Sequence, residues 1–323
     1  METCHSSRIT PITIDAHLDV PWMKQKFGIF DLAQPHPTTQ VDFPRMRQGK
    51  LDTAIMALYL SETLQDQLGP YDAHEAIISQ VQWLNTQSKC SIVGFPDSYK
   101  SIELRGEMPI FLALEGGRLL QENIELLFIF KMFGIRYLTL THNRNTSWAD
   151  SATDITYHGG LVDFGREIIQ RCNELSIFVD VSHASDATAD DALSCSTKSV
   201  WATHSGCRAI FNHPRNLSDN LIRKIDRSGG FIGVPFARNF VGPSASGIID
   251  HIDHIVQIVG HPFCVGIGSD LDGAAMVDEV SSVEDWHHVV NEALSNRGYV
   301  DEDIAMIAGM NLFERLEKQY DGE

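Results

Sequence analysis

The chain lacks paired cysteines, long apolar segments and an N-terminal targeting pattern. Its six cysteines are scattered and form no Cys-x-x-Cys pair, which argues against a zinc knuckle or a redox dithiol and favours reduced thiols in a cytoplasmic protein. No apolar run approaches the length that spans a bilayer, and the polar first residues contain no hydrophobic core of a signal peptide. We therefore expect no membrane association.

Basic residues are also scarce. The 25 lysines and arginines stand against 43 aspartates and glutamates, which gives a formal net charge of −18 at pH 7. Such a surface repels phosphate backbones, so no nucleic-acid partner is expected. The hydrophobic share of 43% is ordinary for a globular protein with a substantial core.

Short apolar segments alternate with polar, helix-patterned segments along the 323 residues. The predicted strands are 12–20, 53–60, 109–115, 135–142, 176–183, 199–204, 230–236 and 263–270. Alternation of this kind indicates a parallel sheet. Eight units predict a single α/β domain over residues 1–323, a (β/α)₈ TIM barrel of the metal-dependent hydrolase type, and an open doubly wound sheet is the alternative.

Two segments lie outside this repeat. Residues 22–52 form a long βα segment with three prolines, which is expected to shape a substrate pocket. Residues 298–323 are predicted to form a C-terminal helical tail. His251, His254 and His261 lie on or beside a predicted amphipathic helix, and we expect them to be exposed to solvent.

Polar side chains capable of binding a metal mark the ends of six predicted strands. They are His17 with Asp19, Glu115, His142, His183, His204 and Asp270. The carboxyl ends of the strands in a barrel meet at one rim, where the active sites of this fold lie. Because burying such groups without partners costs free energy, packing alone does not explain them.

Imidazoles and carboxylates without thiolates are ligands that suit zinc. One ion would use His17 and Asp19, and a second would use His183 and His204. Glu115 is then the natural carboxylate to bridge the two ions. A hydroxide shared between two ions, formed from water whose pKa falls to about 7, is a nucleophile for a carbonyl carbon.

The sequence resembles the membrane dipeptidase (renal dipeptidase) family of zinc hydrolases. The stretches that carry the resemblance are DAHLDVPW (15–22), DFPRMR (42–47), LEGG (114–117), LTHN (140–143), GGLVDFGRE (159–167), VDVSH (179–183), THS (203–205), PRNLSD (214–219) and GIGSDLDG (266–273). They follow in order across nearly the whole chain. Pro235 departs from the family pattern, which often has Asn at that position on one side of the pocket.

The resemblance implies a zinc-dependent dipeptidase that cleaves L-L and L-D dipeptides by attack of a metal-bridging hydroxide, and a homodimer. It implies that one Zn²⁺ is held by His17, Asp19 and Glu115, and the other by Glu115, His183 and His204. By the same resemblance His142 stabilises the oxyanion, Arg215 binds the substrate carboxylate, and Asp270 orients the hydroxide and transfers its proton.

Two alternatives remain open. A related binuclear-metal amidohydrolase would act on another small amide or ester, although residues 135–145 contain no lysine that could be carbamylated to bridge metals. A non-catalytic barrel that binds metal or peptide is less favoured, because the full set of ligands is present together with Asp270.

Overall fold

The structure, a computed structural model, describes residues 11–94 and 99–319. Its strands are β1 (Ile14–Leu18), β2 (Thr53–Leu58), β3 (Cys90–Ile92), β4 (Met108–Glu115), β5 (Ile135–Thr139), β6 (Phe178–Asp180), β7 (Val200–Trp201), β8 (Ile232–Val234) and β9 (Val265–Ile267). The α-helices are α1 (Val20–Phe27), α2 (Phe43–Gln48), α3 (Glu62–Gln67), α4 (Pro70–Asn85), α5 (Tyr99–Leu104), α6 (Leu126–Met132), α7 (Asp163–Glu174), α8 (Asp186–Cys195), α9 (Asp219–Arg227), α10 (Arg238–Val241), α11 (Ala245–Val259), α12 (Ala293–Arg297), α13 (Asp301–Ala305) and α14 (Asn311–Lys318). Two short 3₁₀-helical segments (Gly117–Leu120, Val283–Asp285) and two short π-helical segments (His288–Glu292, Met306–Met310) are also present.

The strands close into a parallel barrel. Strands β1, β2, β4, β5, β6 and β7 form one sheet in that order, and β8 pairs with β9. Parallel bridges from Ala202 to Ile232 and from Leu18 to Leu271 join the two sheets on both sides. The predicted (β/α)₈ barrel is thereby confirmed. The sequence prediction missed β3, a three-residue strand beside the first residues of β4.

Alternate residues of the strands pack on opposite sides of the barrel wall. On β4, Phe111 and Ala113 belong to the interior cluster, whereas Leu112 and Leu114 belong to the larger cluster under the helices. This burial on both faces explains the nearly continuous apolar strands. Leu312 and Leu316 of α14 join the interior cluster, so the C-terminal helix covers the amino-terminal end of the barrel.

A β-bulge in β1 sets the direction of His17. Asp15 pairs with Ala54 and Leu18 pairs with Met56, so three steps on β1 match two on β2. The extra residue interrupts strict alternation. Ala16 packs in the interior cluster, and His17 also points inward, with its Nδ1 2.8 Å from Tyr137 Oη.

Two glycines allow the last strands to approach β7 closely. A Cβ atom at Gly233 would lie 2.0 Å from the carbonyl oxygen of Thr203, and one at Gly268 would lie 1.8 Å from the same oxygen. Any side chain there would push β8 or β9 away from the end of β7. Because Thr203 precedes His204, these glycines help to fix the position of that imidazole.

The expected exposure of His251 is wrong. Its side chain on α11 is fully buried, and its Nδ1 accepts a hydrogen bond of 2.7 Å from the backbone N–H of Cys207. Burial lowers the pKa of His251 to about 4. His254 and His261 are less buried and lie beside Asp219 and Asp226, respectively.

The buried His251 makes folding stability depend on pH. The unfolded imidazole binds a proton as the pH falls through its ordinary pKa of about 6.5, whereas the folded imidazole binds one only near 4, so stability is lost on acidification. His251→Asn keeps an acceptor for Cys207 and cannot titrate. Between about pH 7 and about pH 5, we expect the free energy of unfolding to fall by about 2 kcal/mol less in this variant than in the wild type.

Urea unfolding at the two pH values measures this difference. His288→Asn is the matched control, because the His288 side chain is 71% exposed. An equal pH dependence in the wild type and His251→Asn would contradict the buried neutral imidazole.

Among the helices of residues 11–94 and 99–319, none combines the length and the apolar character required to cross a membrane.

Candidate metal centre

The predicted site residues share the carboxyl-terminal rim of the barrel. His17 lies in β1, and Glu115 is the last residue of β4. Four others each lie three residues beyond a strand end, namely His142 after β5, His183 after β6, His204 after β7 and Asp270 after β9. The shared offset explains why side chains far apart in the chain meet at one mouth.

The Glu115 carboxylate lies between three imidazoles. Its Oε1 is 3.3 Å from His183 Nε2 and 3.5 Å from His204 Nε2, and its Oε2 is 3.6 Å from His17 Nε2. The two oxygens thus face different histidines. This is the arrangement expected of a carboxylate that bridges two cations, and the side chain is only 3% exposed.

The donor set fits a metal. The Nε2 atoms of His17 and His204 are buried and have no hydrogen-bond partner in the described residues. Buried polar atoms are normally satisfied, so two such ring nitrogens facing one carboxylate are suited to act as metal ligands. Imidazole nitrogens and carboxylate oxygens are the donors that divalent zinc prefers.

Asp19 and Asp270 extend the site beyond His17. Each of the three residues offers a ligand atom within 4.8 Å of the others. Asp19 follows β1 and precedes α1, and its Oδ2 is 3.7 Å from His17 Nε2. A Cβ atom at Gly273 would lie 2.0 Å from Asp19 Oδ2 and 2.5 Å from Asp270 Oδ1, so any side chain at this position would displace these carboxylates.

Burial and mutual charge shift the protonation of this cluster. Burial alone raises the pKa of Glu115, but His17 and His183 outweigh it and hold that pKa well below the ordinary value. Burial lowers the pKa of His183 and of His204, assisted by Arg215. The ionised Glu115 carboxylate and the neutral His183 and His204 imidazoles are in the state that binds a metal.

The opposite shift occurs at Asp270. Burial, and then the neighbouring Asp19 carboxylate, raise the pKa of Asp270 well above its ordinary value. Burial lowers the pKa of His17, but Tyr137 and Glu115 outweigh this effect and raise it overall. Raised and lowered pKa values within one cluster are typical of functional sites.

Supporting residues orient the histidines. Tyr137 Oη lies 2.8 Å from His17 Nδ1 and donates to the carbonyl oxygen of Ala16. The buried Asp180 accepts hydrogen bonds from the Thr139 hydroxyl at 2.7 Å and from the Thr203 hydroxyl at 2.9 Å. Asp180 therefore ties together the ends of β5, β6 and β7, which carry three of the histidines.

Two of the site residues have left-handed backbone conformations. The φ angle is 68° at His183 and 64° at Asp270. Residues other than glycine rarely adopt this backbone conformation, and those that do are found disproportionately at functional sites. Hydrogen bonds hold it here: Ala152 N donates to His183 O at 2.7 Å, and Asp270 N donates to His17 O at 3.1 Å.

Arg215 lies beside the cluster, and no carboxylate among the described residues pairs with it. Its side chain is buried, its guanidinium lies 5.1 Å from the centre of the Phe240 ring, and its Nη2 donates to His204 O at 3.3 Å. No carboxylate of the described chain is within ion-pair distance, and Nε has no acceptor there. Burial lowers the pKa of Arg215 to about 10, so the group stays charged at neutral pH.

His142 has two partners that the sequence analysis missed. Its Nδ1 lies 2.6 Å from Glu62 Oε1 and 3.3 Å from Tyr59 Oη, and the imidazole also lies within 4.8 Å of ligand atoms of Glu115 and His183. Glu62 and Tyr59 follow β2, so they occupy the same rim. A survey of the polar residues after every predicted strand, including the second, could have found them.

A cavity of about 820 Å³ lies at the opposite end of the barrel. Lys198, Gly229 and Phe263, which precede β7, β8 and β9, line it together with residues of α14. Barrels of this kind do their chemistry at the carboxyl-terminal rim. The candidate site is therefore the histidine and carboxylate cluster and not this cavity.

A (β/α)₈ barrel with imidazoles and carboxylates gathered at its carboxyl-terminal rim defines the class of metal-binding barrel proteins. Residues 6–320 match the model of the membrane dipeptidase family, peptidase family M19, and the chain belongs to that family.

Known proteins of the family align with nearly the whole chain. Dipeptidase 3 of Macaca fascicularis is 27% identical over 321 residues, which are 94% of this chain and 65% of that protein. An uncharacterized dipeptidase of Schizosaccharomyces pombe is 26% identical and covers 93% of this chain, with 78% of its own length aligned. This chain therefore spans about two thirds to three quarters of the length of these two relatives.

Solved structures share the fold. The metallopeptidase dipeptidase AC superposes with a TM-score of 0.86 at 22% identity, covering 97% of this chain and 99% of its own. A metallopeptidase from Rhodobacter sphaeroides, bound to a phosphinate mimic of the dipeptide L-Ala-D-Ala, superposes with a TM-score of 0.84 at 22% identity, covering 96% of this chain and 100% of its own.

Proposed function

We propose that this chain is a metal-dependent dipeptidase that hydrolyses the peptide bond of L-L and L-D dipeptides. The observation that carries the proposal is the Glu115 carboxylate between His17, His183 and His204, with two buried ring nitrogens free of partners in the described chain. Membership of the dipeptidase family supports it. The dipeptide mimic bound by the Rhodobacter sphaeroides relative supports a ligand of this size.

The metal we propose is zinc, as two ions. Asp19 and His17 would hold one, His183 and His204 would hold the other, and Glu115 would bridge them. When bound, such ions lower the pKa of water and polarise a carbonyl group.

The chain's own residues would supply binding and proton transfer. Arg215 is buried, charged and without a carboxylate partner in the described residues, so it is suited to bind the free carboxylate of a dipeptide. His142 would donate a hydrogen bond to the negative oxygen that develops at the carbonyl. Asp270, whose pKa is raised, would carry a proton from the attacking water to the leaving amine.

The decisive experiment is a panel of L-L and L-D dipeptides assayed with added zinc and after chelation. We expect cleavage that chelator removes and zinc restores. Zinc bound to the protein with no cleavage of any dipeptide would favour a non-catalytic barrel, and cleavage that resists chelation would contradict the metal centre.

Arg215→Met should weaken the binding of dipeptides that carry a free carboxylate. Because loss of a hydrogen bond to a charged group costs about 1.5–3 kcal/mol, KM should rise by about 10–100-fold. For dipeptides amidated at the C-terminus, KM should change little. Steady-state kinetics on matched free and amidated substrates measure the contrast.

Arg297→Met is the control for this substitution. The Arg297 guanidinium of α12 already pairs with Asp250 at 2.7 Å and is 39% exposed, so its loss should leave KM near the wild-type value. Equal effects of Arg215→Met on free and amidated dipeptides would remove Arg215 from carboxylate binding.

We also propose a homodimer in the cytoplasm. The family resemblance supports the dimer, and the scattered cysteines support a reducing compartment. Light scattering of the purified protein tests the first, and fractionation of the native cells tests the second. A monomer at micromolar concentration would contradict the dimer, and recovery of the protein with the membrane fraction would contradict the cytoplasmic location.

A further inference from the structure

Glu62 occupies a defined position at the mouth of the barrel. It is the first residue of α3, whose N-cap Ser61 accepts a hydrogen bond from Leu64 N at 3.3 Å. The Glu62 side chain is 14% exposed, and that of His142 is 17% exposed. A carboxylate at a helix N-terminus is stabilised by the helix dipole, so an ionised Glu62 is favoured here.

The contacts of Glu62 converge on the loop after β5. Its Oε1 accepts hydrogen bonds from His142 Nδ1 at 2.6 Å and from Asn143 N at 3.0 Å, and its Oε2 accepts one from Tyr59 Oη at 3.3 Å. The Tyr59 ring centre is 4.5 Å from that of His142. Burial raises the pKa of Glu62, but His142 outweighs it and lowers this pKa to about 2.

This geometry fixes both the orientation and the proton of His142. With Glu62 as acceptor, the proton resides on Nδ1, and Nε2 is the ring atom left to face Glu115 and His183. A carboxylate behind an imidazole holds the ring and sets which nitrogen meets the site. Tyr59 packs against the ring and limits its rotation.

We propose that Glu62 is a positioning residue that acts on the reaction through His142, by holding its Nδ1 proton and aiming Nε2 at the substrate carbonyl. This inference rests on the proposed function for its kinetic consequence. The hydrogen bond itself can be tested without any activity.

The chain offers a matched control one turn along the same helix. Asp66 of α3 pairs with Arg118 and, at 2.8 Å, with Arg144, and so anchors α3 to the neighbouring loops without contacting His142. Asp66→Asn therefore loosens the helix and leaves the carboxylate of Glu62 in place. Glu62→Ala removes that carboxylate and leaves the anchor.

The kinetic test compares these variants with bound metal measured in each. For Glu62→Ala we expect kcat to fall about 10–100-fold, as for other residues that orient a functional histidine, with KM changed by less than about twofold. Added acetate should restore part of kcat in Glu62→Ala and none in His142→Ala. Asp66→Asn should stay near the wild-type kcat.

The double variant tests the route of action. Because Glu62 acts through His142, the variant that combines Glu62→Ala and His142→Ala should have a kcat no lower than that of His142→Ala alone. The proposal would be overturned if the losses of kcat in the two single variants multiplied in the double variant. It would also be overturned by an unchanged kcat in Glu62→Ala, or by a loss of kcat in Asp66→Asn as large as that in Glu62→Ala.

Nuclear magnetic resonance of histidine-labelled protein supplies a readout that is independent of activity. The wild type and Asp66→Asn should show a protected Nδ1 proton of His142 that is absent in Glu62→Ala. If no dipeptide is cleaved but this signal behaves as expected, the proposed function fails and the positioning stands. If the wild type is active and the signal survives in Glu62→Ala, the positioning fails and the function stands.

Discussion

Glu115→Gln should remove at least one bound metal ion and most of the activity. The substituted side chain carries no charge and its amide nitrogen cannot act as a ligand, so the group that faces His17, His183 and His204 would lose its bridging capacity. A bound metal ion would supply several kcal/mol of transition-state stabilisation. Its loss corresponds to a fall in kcat/KM of about 10³-fold or more.

Metal analysis by mass spectrometry and dipeptide kinetics measure the two effects together. Glu122→Gln is the control, because Glu122 is exposed and lies beyond the 3₁₀ turn that follows β4. It should keep two ions and full activity. Thermal unfolding of metal-free Glu115→Gln should match that of the metal-free wild type within a few degrees, which separates loss of metal from loss of fold.

Retention of two ions with full turnover would refute the bridging role of Glu115. Retention of a single ion would mean that Glu115 is essential at only one of the two proposed metal positions. Glu115→Asp sharpens the result, because it keeps the charge and withdraws the carboxylate by one methylene. We expect it to bind metal more tightly than Glu115→Gln and more weakly than the wild type.

The sequence predicts the fold because a barrel of this type requires strands and helices to alternate regularly along the chain. Apolar strands buried on both faces stand out as short runs, and the rule that parallel strands share their carboxyl ends places His183 and His204 together. The predicted strand ends extend too far, however. The run 176–183 contains a strand over Phe178–Asp180 alone, because the loop that carries His183 is also buried.

Local irregularity explains other differences between sequence and structure. His17 points inward because β1 contains a bulge, whereas strict alternation predicts a common face for His17 and Asp19 from their spacing alone. Asp19 lies beyond the strand, and the turn into α1 brings its carboxylate back to His17. β3 is three residues long, too short for any periodicity to mark it.

Partnerships between distant residues were not predictable from the pattern. Glu62 and His142 are 80 residues apart, and His251 lies 44 residues from Cys207. The periodicity of apolar residues predicts which side chains face inward. It does not predict which pairs of distant residues will be in contact. The exposure predicted for His251 failed for this reason: the loop after β7 folds over that face of α11 and covers it.

Asp270→Asn should abolish most turnover while the metal ions stay bound. Burial and the Asp19 carboxylate raise the pKa of Asp270, which suits a group that accepts a proton and then releases it. Asparagine keeps the shape and tolerates the left-handed backbone at this position, where φ is 64°. Because general acid–base catalysis contributes about 10²–10⁴-fold, kcat should fall by that factor with KM little changed.

Asp272→Asn is the matched control on the same turn. Its φ is 70°, and the oxygen that accepts a hydrogen bond from Gln40 N at 2.6 Å is retained in asparagine. This variant should keep kcat within a few-fold of the wild type. Loss of a metal ion from Asp270→Asn would make Asp270 a ligand together with His17 and Asp19, and an unchanged kcat with both ions bound would exclude it from proton transfer. The expected pattern, a large loss of kcat with full metal content in Asp270→Asn alone, separates proton transfer at this carboxyl from metal binding by its neighbours.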